Sequence, residues 1–302
     1  MLIAGIIGTV AVLAAVIAII IYKESKEFCI SFYEYHSTCL SREHYRIVFF
    51  FFFHDKVFGE HNEPLLEAID DLRPDAVMFA GDMVTSSMEL HYDYAPTIQF
   101  IGKLAEKYPV YYGMGNHEEK FRRQPDIFPG QYEDLSEKLA ACGVHIMENE
   151  TVRIPEAGIT VYGLNLEHEY YRKLRTKHLP PRYLQNIFGD VNKENYTILL
   201  AHNPEHFPEY AAWEPDLIVS GHIHGGVIRL PLLGGVVSPQ LKLFPKYDAG
   251  EFRSGSTTML LSRGIGSHTI PIRIWNRAEV LCVDLKKQRG IPKGDNHGFN
   301  IN

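Results

Sequence analysis

Four apolar runs in this sequence each end in a cluster of Asp, Asn or His residues, and this repeated feature constrains the fold most. Near-continuous apolar runs of this kind are typical of strands that are buried on both faces of a parallel sheet. In open α/β sheets, ligands bind beyond the carboxyl ends of the strands. The sequence therefore predicts a polar site at one edge of such a sheet. The runs and their endings are Ala76–Ala80 with Gly81-Asp82, Val110–Met114 with Gly115-Asn116-His117-Glu118, Ile198–Ala201 with His202-Asn203-Pro204, and Leu217–Ser220 with Gly221-His222-Ile223-His224-Gly225-Gly226.

The segments between these runs predict helices, which makes the main part of the chain a mixed α/β sandwich. Asn62 can cap a helix whose apolar positions Leu65, Ile69 and Leu72 follow helical spacing, and a second helix is predicted near Ala95–Lys107. Alternation of buried strands and helices is typical of a largely parallel sheet that is covered on both faces. Further strands are predicted at Phe28–Tyr33, Arg46–Phe53, Thr160–Leu164 and Tyr196–Ala201 and, without intervening helices, at Val227–Leu230, Met259–Ser262, Arg273–Trp275 and Val280–Leu285.

The amino terminus predicts a membrane anchor. Leu2–Ile21 contains no charged residue, and a helix of this length spans roughly 30 Å, the thickness of a bilayer core. The stretch is longer than the apolar region of a signal peptide and is followed by no small-residue cleavage site. Basic residues lie on its carboxyl side, so the positive-inside tendency predicts a single-pass protein of the cell membrane with a cytoplasmic main domain. We accordingly divide the chain into an anchor (1–22), a connector (23–45), a main domain (46–286) and a flexible tail (287–302).

Charge and cysteine content exclude two classes of protein. The net charge of −7 argues against a nucleic-acid partner, which would require a basic face. Four scattered cysteines without CxxC spacing argue against a disulfide framework. Cys29 and Cys39 could pair if their segment were extracytoplasmic, but unpaired thiols are the preferred interpretation.

Each polar strand ending also has a purely structural explanation. A Gly-Asp turn after a strand is common, and a single histidine in that position is more often a surface or core residue than a ligand. Four such endings in one register are harder to attribute to chance. Imidazole and carboxylate ligands together suit Mn, Fe or Zn, so the sequence predicts a metal site.

These motifs, GD, GNHE, AHNP and GHIHGG, resemble the calcineurin-like metallophosphoesterase superfamily, and in particular its small membrane-associated bacterial branch. The resemblance runs from about Phe28 to Leu285 and implies a four-layer αββα sandwich with two divalent metal ions, Mn, Fe or Zn. It implies a dimetal-dependent phosphohydrolase in which a metal-bridging hydroxide attacks a phosphodiester or pyrophosphate bond in line. His117 matches the catalytic histidine beside the phosphate. The implied metal ligands are Asp82, which bridges both ions, Asn116, His202 and His222 at one ion, and His54 and His224 at the other.

The first motif of the family is altered in this chain. The family has Asp-x-His at the end of the first strand, where this sequence has Phe52-Phe53-His54. His54 matches the family histidine, but Phe52 stands at the position of the aspartate and has no ligand atom. The first metal would keep only His54, Asp82 and His224, so the resemblance predicts that this site is weakened while the other stays close to normal.

Three interpretations of Phe52 are open. Asp55 could substitute for the missing carboxylate, although it follows His54, and side chains that alternate along a strand would point it elsewhere. The chain could be a natural variant with one weakened metal site. The run Phe49–Phe53 could instead be a sequence error.

Two classes of function are therefore predicted. The leading hypothesis is a phosphohydrolase of the phosphodiesterase or pyrophosphatase type, which acts near the membrane on a phosphorylated small molecule or a lipid-linked substrate. The alternative, which Phe52 supports, is a metal-impaired and catalytically weak relative that binds a phosphorylated ligand or a partner. A purely structural membrane protein ranks last, because it leaves the four polar strand endings unexplained.

Overall fold

A computed structural model describes residues 2–54, 56–87, 93–172, 177–226, 228–230, 234–237, 243–266 and 272–289. Asp55, one of the residues considered as a substitute ligand, lies outside the described residues. The helices are α1 (Leu2–Glu24), α2 (Glu63–Leu72), α3 (Ala95–Ala105), α4 (Asn116–Arg123), α5 (Gln131–Ala141), α6 (Tyr183–Phe188) and α7 (Phe207–Ala211), with short 3-10 helices at His168–Tyr171 and Pro204–His206. The strands are β1 (Phe28–Ser37), β2 (His44–Phe50), β3 (Ala76–Ala80), β4 (Val110–Gly113), β5 (His145–Met147), β6 (Glu150–Ile154), β7 (Ile159–Leu164), β8 (Tyr196–Ala201), β9 (Leu217–Ser220), β10 (Ile228–Leu230), β11 (Gly234–Val237), β12 (Gly250–Ser254), β13 (Thr257–Leu261) and β14 (Ala278–Lys287).

Twelve of these strands form two six-stranded mixed sheets. The first sheet has the order β1-β14-β2-β3-β4-β5, in which β2 to β5 are parallel and β14 is antiparallel to β2. The second has the order β12-β13-β9-β8-β7-β6, in which the four central strands are parallel. Parallel neighbours end at the same edge, so the loops after β2, β3 and β4 lie side by side, as do those after β8 and β9.

The two sheets pack face to face and carry helices on their outer faces. Alternate side chains of β2 show this, because Phe49 points into the core between the sheets and Phe50 into the core beneath α2 and α3. The inter-sheet core joins Phe49 and Met78 of the first sheet to Ile198 of the second. A third core lies between the second sheet and α6 and α7. The predicted αββα sandwich is confirmed.

The N-terminal helix α1 stands apart from the sandwich. Among the residues that the structure describes, it is the one helix long and apolar enough to cross a membrane, and its span Gly5–Glu24 is not buried within the protein. The strand predicted around Phe28–Tyr33 is longer than expected, because β1 pairs in parallel with β14 from Phe28 to Ser37. This pairing ties the end of the membrane-type helix directly to the first sheet.

Three local predictions from the sequence are wrong. The strand predicted through Phe53 ends at Phe50, because Phe52 has a φ of +30° and Ile265 and Gly266 donate hydrogen bonds to the carbonyl oxygens of Phe51 and Phe52. Residues 273–275 form no strand, only one bridge from Ile274 to Ile228. Asn62 precedes α2, but its side chain does not cap that helix and instead accepts a hydrogen bond from the Phe58 N–H.

Candidate metal centre

The carboxyl ends of five strands from both sheets meet at one end of the sandwich, and the loops that follow them carry the predicted site residues. The backbone there is unusual, since five of these loop residues have a positive φ, a conformation that costs of order 1–3 kcal/mol for residues other than glycine. Such strain at one place is typical of a functional site. The five residues are Phe52 (30°), His54 (47°), Asp82 (57°), His222 (66°) and His224 (55°).

Asp82, His202 and His222 form one group of potential metal ligands. Their ligand atoms all lie within 4.8 Å of one another. His202 Nε2 lies 2.9 Å from Asp82 Oδ2, while His202 Nδ1 lies 2.8 Å from the carbonyl oxygen of Ala80. The carbonyl can only accept, so Nδ1 carries a proton and Nε2 faces the carboxylate. A ring lone pair opposite a carboxylate requires a proton or a cation between them, which a metal ion would supply.

The ionisation of this pair follows from the same contacts. Burial raises the pKa of Asp82, but the charges of His202, His117 and His54 and the hydrogen bond from His202 outweigh it and hold the pKa well below the usual range. Burial lowers the pKa of His202, yet the Asp82 carboxylate raises it further, to above the ordinary value. A buried carboxylate that stays ionised at neutral pH is a suitable metal ligand.

Asn116 adds an oxygen to the same group. It is the first residue of α4, and its neighbours on both sides contact Asp82, because Gly115 packs against that carboxylate and the His117 N–H donates to Asp82 Oδ1 at 2.8 Å. Asn116 is buried, and its Oδ1 has no hydrogen-bond partner among the described residues. A buried amide oxygen without a donor is costly unless a cation or a water completes it. The four residues Asp82, Asn116, His202 and His222 therefore fit a divalent metal ion, and we call them the second group.

A first group of potential ligands is formed by His54, Asp82 and His117, whose ligand atoms also lie within 4.8 Å of one another. His224 is absent from this group, although its ring lies near that of His54, with 5.2 Å between the centroids. The structure thus brings all seven predicted site residues to one place but groups His117, not His224, with His54 and Asp82.

The ring of Phe52 is buried beside the first group. Phe52 is fully buried, and its ring stacks on that of His224 with 4.0 Å between the centroids and 29° between the planes. Two glycines leave room for it, since an added Cβ would come within 2.2 Å of the ring at Gly221 and 1.9 Å at Gly264. Phe52 is therefore a packed core residue that covers one face of His224 and supplies no ligand atom.

His117 is held in one tautomer. Its Nδ1 lies 2.7 Å from the backbone nitrogen of Ser86 and 2.8 Å from the Ser86 hydroxyl. The backbone N–H can only donate, so Nδ1 is an acceptor and the ring proton is on Nε2. Nε2 is therefore the atom of His117 that can donate a hydrogen bond to a ligand in the site.

Glu118 organises the loop that carries Asp82, a role that sequence reasoning did not identify. It is the third residue of α4, but its buried carboxylate accepts hydrogen bonds from the N–H groups of Asp82 (3.0 Å), Met83 (2.9 Å) and Gly115 (2.9 Å) and from the Tyr112 hydroxyl (2.7 Å). Burial and the Asp82 carboxylate raise the pKa of Glu118. The four hydrogen-bond donors act against this shift by stabilising the ionised carboxylate, and those from the loop after β3 fix the backbone of Asp82 at its positive φ.

Tyr171 is a second residue of the site that sequence reasoning did not select. Its ring lies beside the second group, 5.1 Å from that of His222 and 6.1 Å from that of His202 between centroids. The hydroxyl is buried and has no hydrogen-bond partner among the described residues, and burial raises its pKa well above the ordinary value. Tyr171 therefore offers a neutral O–H donor beside the candidate metal ligands.

Comparison with known proteins finds relatives that are named as metallophosphoesterases or phosphodiesterases. YkuE of Bacillus subtilis, an uncharacterized metallophosphoesterase, is 24% identical over 229 residues, which cover 75% of this chain and 73% of YkuE. Phosphodiesterase YaeI of Escherichia coli is 26% identical over 214 residues, or 70% of this chain and 71% of YaeI. A transmembrane protein with metallophosphoesterase domain from Danio rerio is 24% identical over 74% of this chain, which spans only 48% of that protein.

The family model for calcineurin-like phosphoesterase matches residues 57–226. This match includes Asp82, Asn116, His117 and the histidines of the loops after β8 and β9, and it begins just after Phe52 and His54. Since it covers more than half of the chain, the protein belongs to the calcineurin-like phosphoesterase family.

Proposed function

We propose that this protein is a metal-dependent phosphohydrolase that cleaves a phosphodiester or pyrophosphate bond. The proposal rests on the second group. In it, two histidines, the Asp82 carboxylate and the buried amide oxygen of Asn116 converge from the loops after β3, β4, β8 and β9. Family membership and the name of the relative YaeI, a phosphodiesterase, support the reaction class.

The residues that would hold metal are assigned as follows. Asp82, Asn116, His202 and His222 would bind one divalent ion, Mn, Fe or Zn, and this donor set fits such an ion. When bound, divalent cations supply Lewis acidity, lower the pKa of a coordinated water and neutralise charge on the phosphoryl oxygens. Members of this family use two metals, but the ring of Phe52 against His224 leaves the first group with His54, Asp82 and His117. The first group therefore does not fit the family pattern, and we expect it to bind metal weakly.

The protein's own groups would position the phosphate. His117, with its proton fixed on Nε2 by Ser86, would donate a hydrogen bond to a phosphoryl or leaving-group oxygen. Because a doubly protonated ring would oppose the Ser86 N–H, the contacts favour a hydrogen-bond donor over a proton donor. Tyr171 would supply a second donor on the side of His222.

A second candidate function follows from Phe52. If the first group does not bind metal well enough for turnover, the protein is a catalytically weak relative that binds a phosphorylated ligand or a partner. In either case we propose that α1 anchors it as a single-pass membrane protein, which its length and composition support. The basic residues after α1 favour a cytoplasmic main domain.

The test is Mn²⁺-dependent hydrolysis of bis(p-nitrophenyl) phosphate by the full-length chain in detergent. We expect turnover that falls by about 10²- to 10³-fold in His117→Ala and is lost in His222→Ala. His206→Ala is the control outside the site. Turnover equal in all four proteins would reject the assignment. If only Phe52→Asp is active, the binding function is the better description of the natural chain.

A further inference from the structure

The carboxyl end of α1 contacts a segment that also holds the loops of the metal centre. The carboxylate of Glu24, the last residue of α1, accepts a hydrogen bond from the backbone N–H of Asn276 at 3.0 Å. Three residues further along the chain, after the end of α1, Glu27 forms an ion pair with Arg277 at 3.0 Å. The helix therefore leaves the sandwich beside residues 272–277.

Two residues of this segment, Arg273 and Asn276, also hold the backbone of the site. The Asn276 side chain donates to the carbonyl oxygens of His224 (2.8 Å) and Gly226 (2.5 Å). The buried guanidinium of Arg273 donates to the carbonyl oxygens of Gly264 (3.0 Å) and Gly266 (2.5 Å), in the loop that packs on Phe52. One segment thus contacts both the end of the anchor and the loops of the metal centre.

Exposed apolar side chains surround this junction, and we call them the junction face. Backbone contacts join the segments of four of them, because Ile274 bridges to Ile228, β10 pairs with β11, and Val237 bridges to Leu243. Val57 follows Lys56, whose charge interacts with those of Lys26 and Arg273. Isolated exposed apolar residues are ordinary, but five of them on segments that adjoin one helix end favour a common explanation. They are Val57 (43% exposed), Leu243 (68%), Phe244 (59%), Ile272 (37%) and Trp275 (51%).

The position of α1 indicates what covers this face. Tyr22 is exposed and lies only two residues before Glu24, which corresponds to about 3 Å of helix rise. Trp275 directly precedes the residue that Glu24 contacts. Tryptophan and tyrosine at one level are typical of the boundary between a bilayer and water. Lys26 and Lys56 are close neighbours at the same edge, and cations there favour anionic headgroups.

We propose that the junction face rests in the headgroup region of the bilayer that holds α1, so that the metal centre takes its phosphoester from an anionic lipid in that bilayer. The substrate part of this inference depends on the proposed phosphohydrolase function, whereas the docking of the face does not. The occupant is the membrane itself, because the end of the membrane-type helix α1 contacts Asn276 and Arg277, which directly follow Trp275 of the face.

Tryptophan fluorescence tests the docking without any assay of activity. The chain contains two tryptophans, of which Trp213 is buried in the sandwich and Trp275 is half exposed on the junction face. The full-length protein is placed in vesicles of phosphatidylcholine and phosphatidylglycerol with or without brominated acyl chains. We expect brominated lipid to quench part of the emission, and we expect Trp275→Phe to remove that quenchable part. Unquenched emission from carbonate-resistant, membrane-inserted protein would overturn the inference.

Hydrolysis of two phosphodiesters separates docking from chemistry. We compare phosphatidyl-p-nitrophenol in the same vesicles with soluble bis(p-nitrophenyl) phosphate. Trp275→Asp should lower hydrolysis of the lipid roughly ten-fold and leave the soluble substrate unchanged. Ile127→Asp, which changes an equally exposed side chain (52%) outside the face, should affect neither. Equal losses on both substrates would overturn the lipid assignment. Quenching without hydrolysis by any variant would keep the docking and reject the proposed function.

Discussion

Replacing Phe52 with aspartate should create the missing ligand while weakening the metal-free fold. The ring of Phe52 is fully buried between Gly221 and Gly264 and against His224. Removing a buried phenyl ring from a core costs about 3–5 kcal/mol of the free energy of unfolding. In a domain of this size that corresponds to a decrease in melting temperature of roughly 6–20 °C. The new carboxylate would also repel that of Asp82, so the decrease in melting temperature of the metal-free variant should be at the larger end of this range.

Metal should reverse this loss in the aspartate variant alone. A ligand present at 1,000 times its Kd stabilises the folded state by about 4.1 kcal/mol. Binding at the second group contributes equally to every variant, so any difference between variants reports on the first group. We therefore expect added Mn²⁺ to raise the melting temperature of Phe52→Asp by several degrees more than that of the natural protein.

The assay is thermal unfolding with and without Mn²⁺, followed by metal analysis of the dialysed proteins. Phe52→Ala is the control, because it removes the same ring and carries neither a charge nor a ligand atom. It should show the loss of stability that removal of the ring causes, without the extra gain from metal. An equal response to Mn²⁺ in the Asp and Ala variants would refute the argument that Phe52 stands in a metal-ligand position.

Three further substitutions test other contacts of the site and fold. Glu118→Gln should lower metal affinity by about 10- to 100-fold in calorimetric titration, since it weakens the acceptor for the loop of Asp82; unchanged affinity would contradict the role of Glu118. Tyr171→Phe should leave the melting temperature within about 2 °C of the natural protein, because the hydroxyl has no partner among the described residues, but should reduce kcat; a lower melting temperature with normal kcat would contradict it. Burial raises the pKa of Glu279, yet the hydrogen bonds and charge of Arg263 outweigh it and lower the pKa below the ordinary 4.5. Because the pKa of Glu279 is lower in the folded than in the unfolded protein, its ionised carboxylate stabilises the fold at any pH above the unfolded pKa. This stabilisation should decline as the pH falls below about 4.5 and be absent in Glu279→Gln. Identical acid unfolding of both proteins would disprove it.

Much of the fold could be predicted because strong local signals agree with the tertiary structure. The predicted bounds of three central strands, Ala76–Ala80, Tyr196–Ala201 and Leu217–Ser220, are those of β3, β8 and β9. Each is a short apolar run that a polar motif follows, and each is buried on both faces, so packing reinforces propensity. The polar endings then had to lie at one edge of their sheet.

What could not be predicted depends on contacts between distant parts of the chain. Nothing in five consecutive phenylalanines indicates that the strand ends at Phe50, since hydrogen bonds from residues 265 and 266 turn the chain there. Glu118 has the position of an ordinary helix-start acid, and its role is visible only when the loop after β3 is placed against it. Arg273 lies in an apolar run that resembles a strand, but its side chain instead fixes the loop beside Phe52.

The junction of anchor and site illustrates the same limit. The sequence indicates a membrane helix and a metal site as separate features, about 30 residues apart at their closest. Contacts between distant residues bring them together, such as that of Glu24 with Asn276, which are separated by 252 positions. No local pattern marks either residue for this purpose.

The most direct test of the account is the metal content of the natural full-length protein. The chain is purified, loaded with Mn²⁺, dialysed against metal-free buffer and measured by inductively coupled plasma mass spectrometry, beside His222→Ala and Phe52→Asp. We predict one retained ion per natural chain, none in His222→Ala and two in Phe52→Asp. Two tightly retained ions in the natural chain, or none, would contradict it.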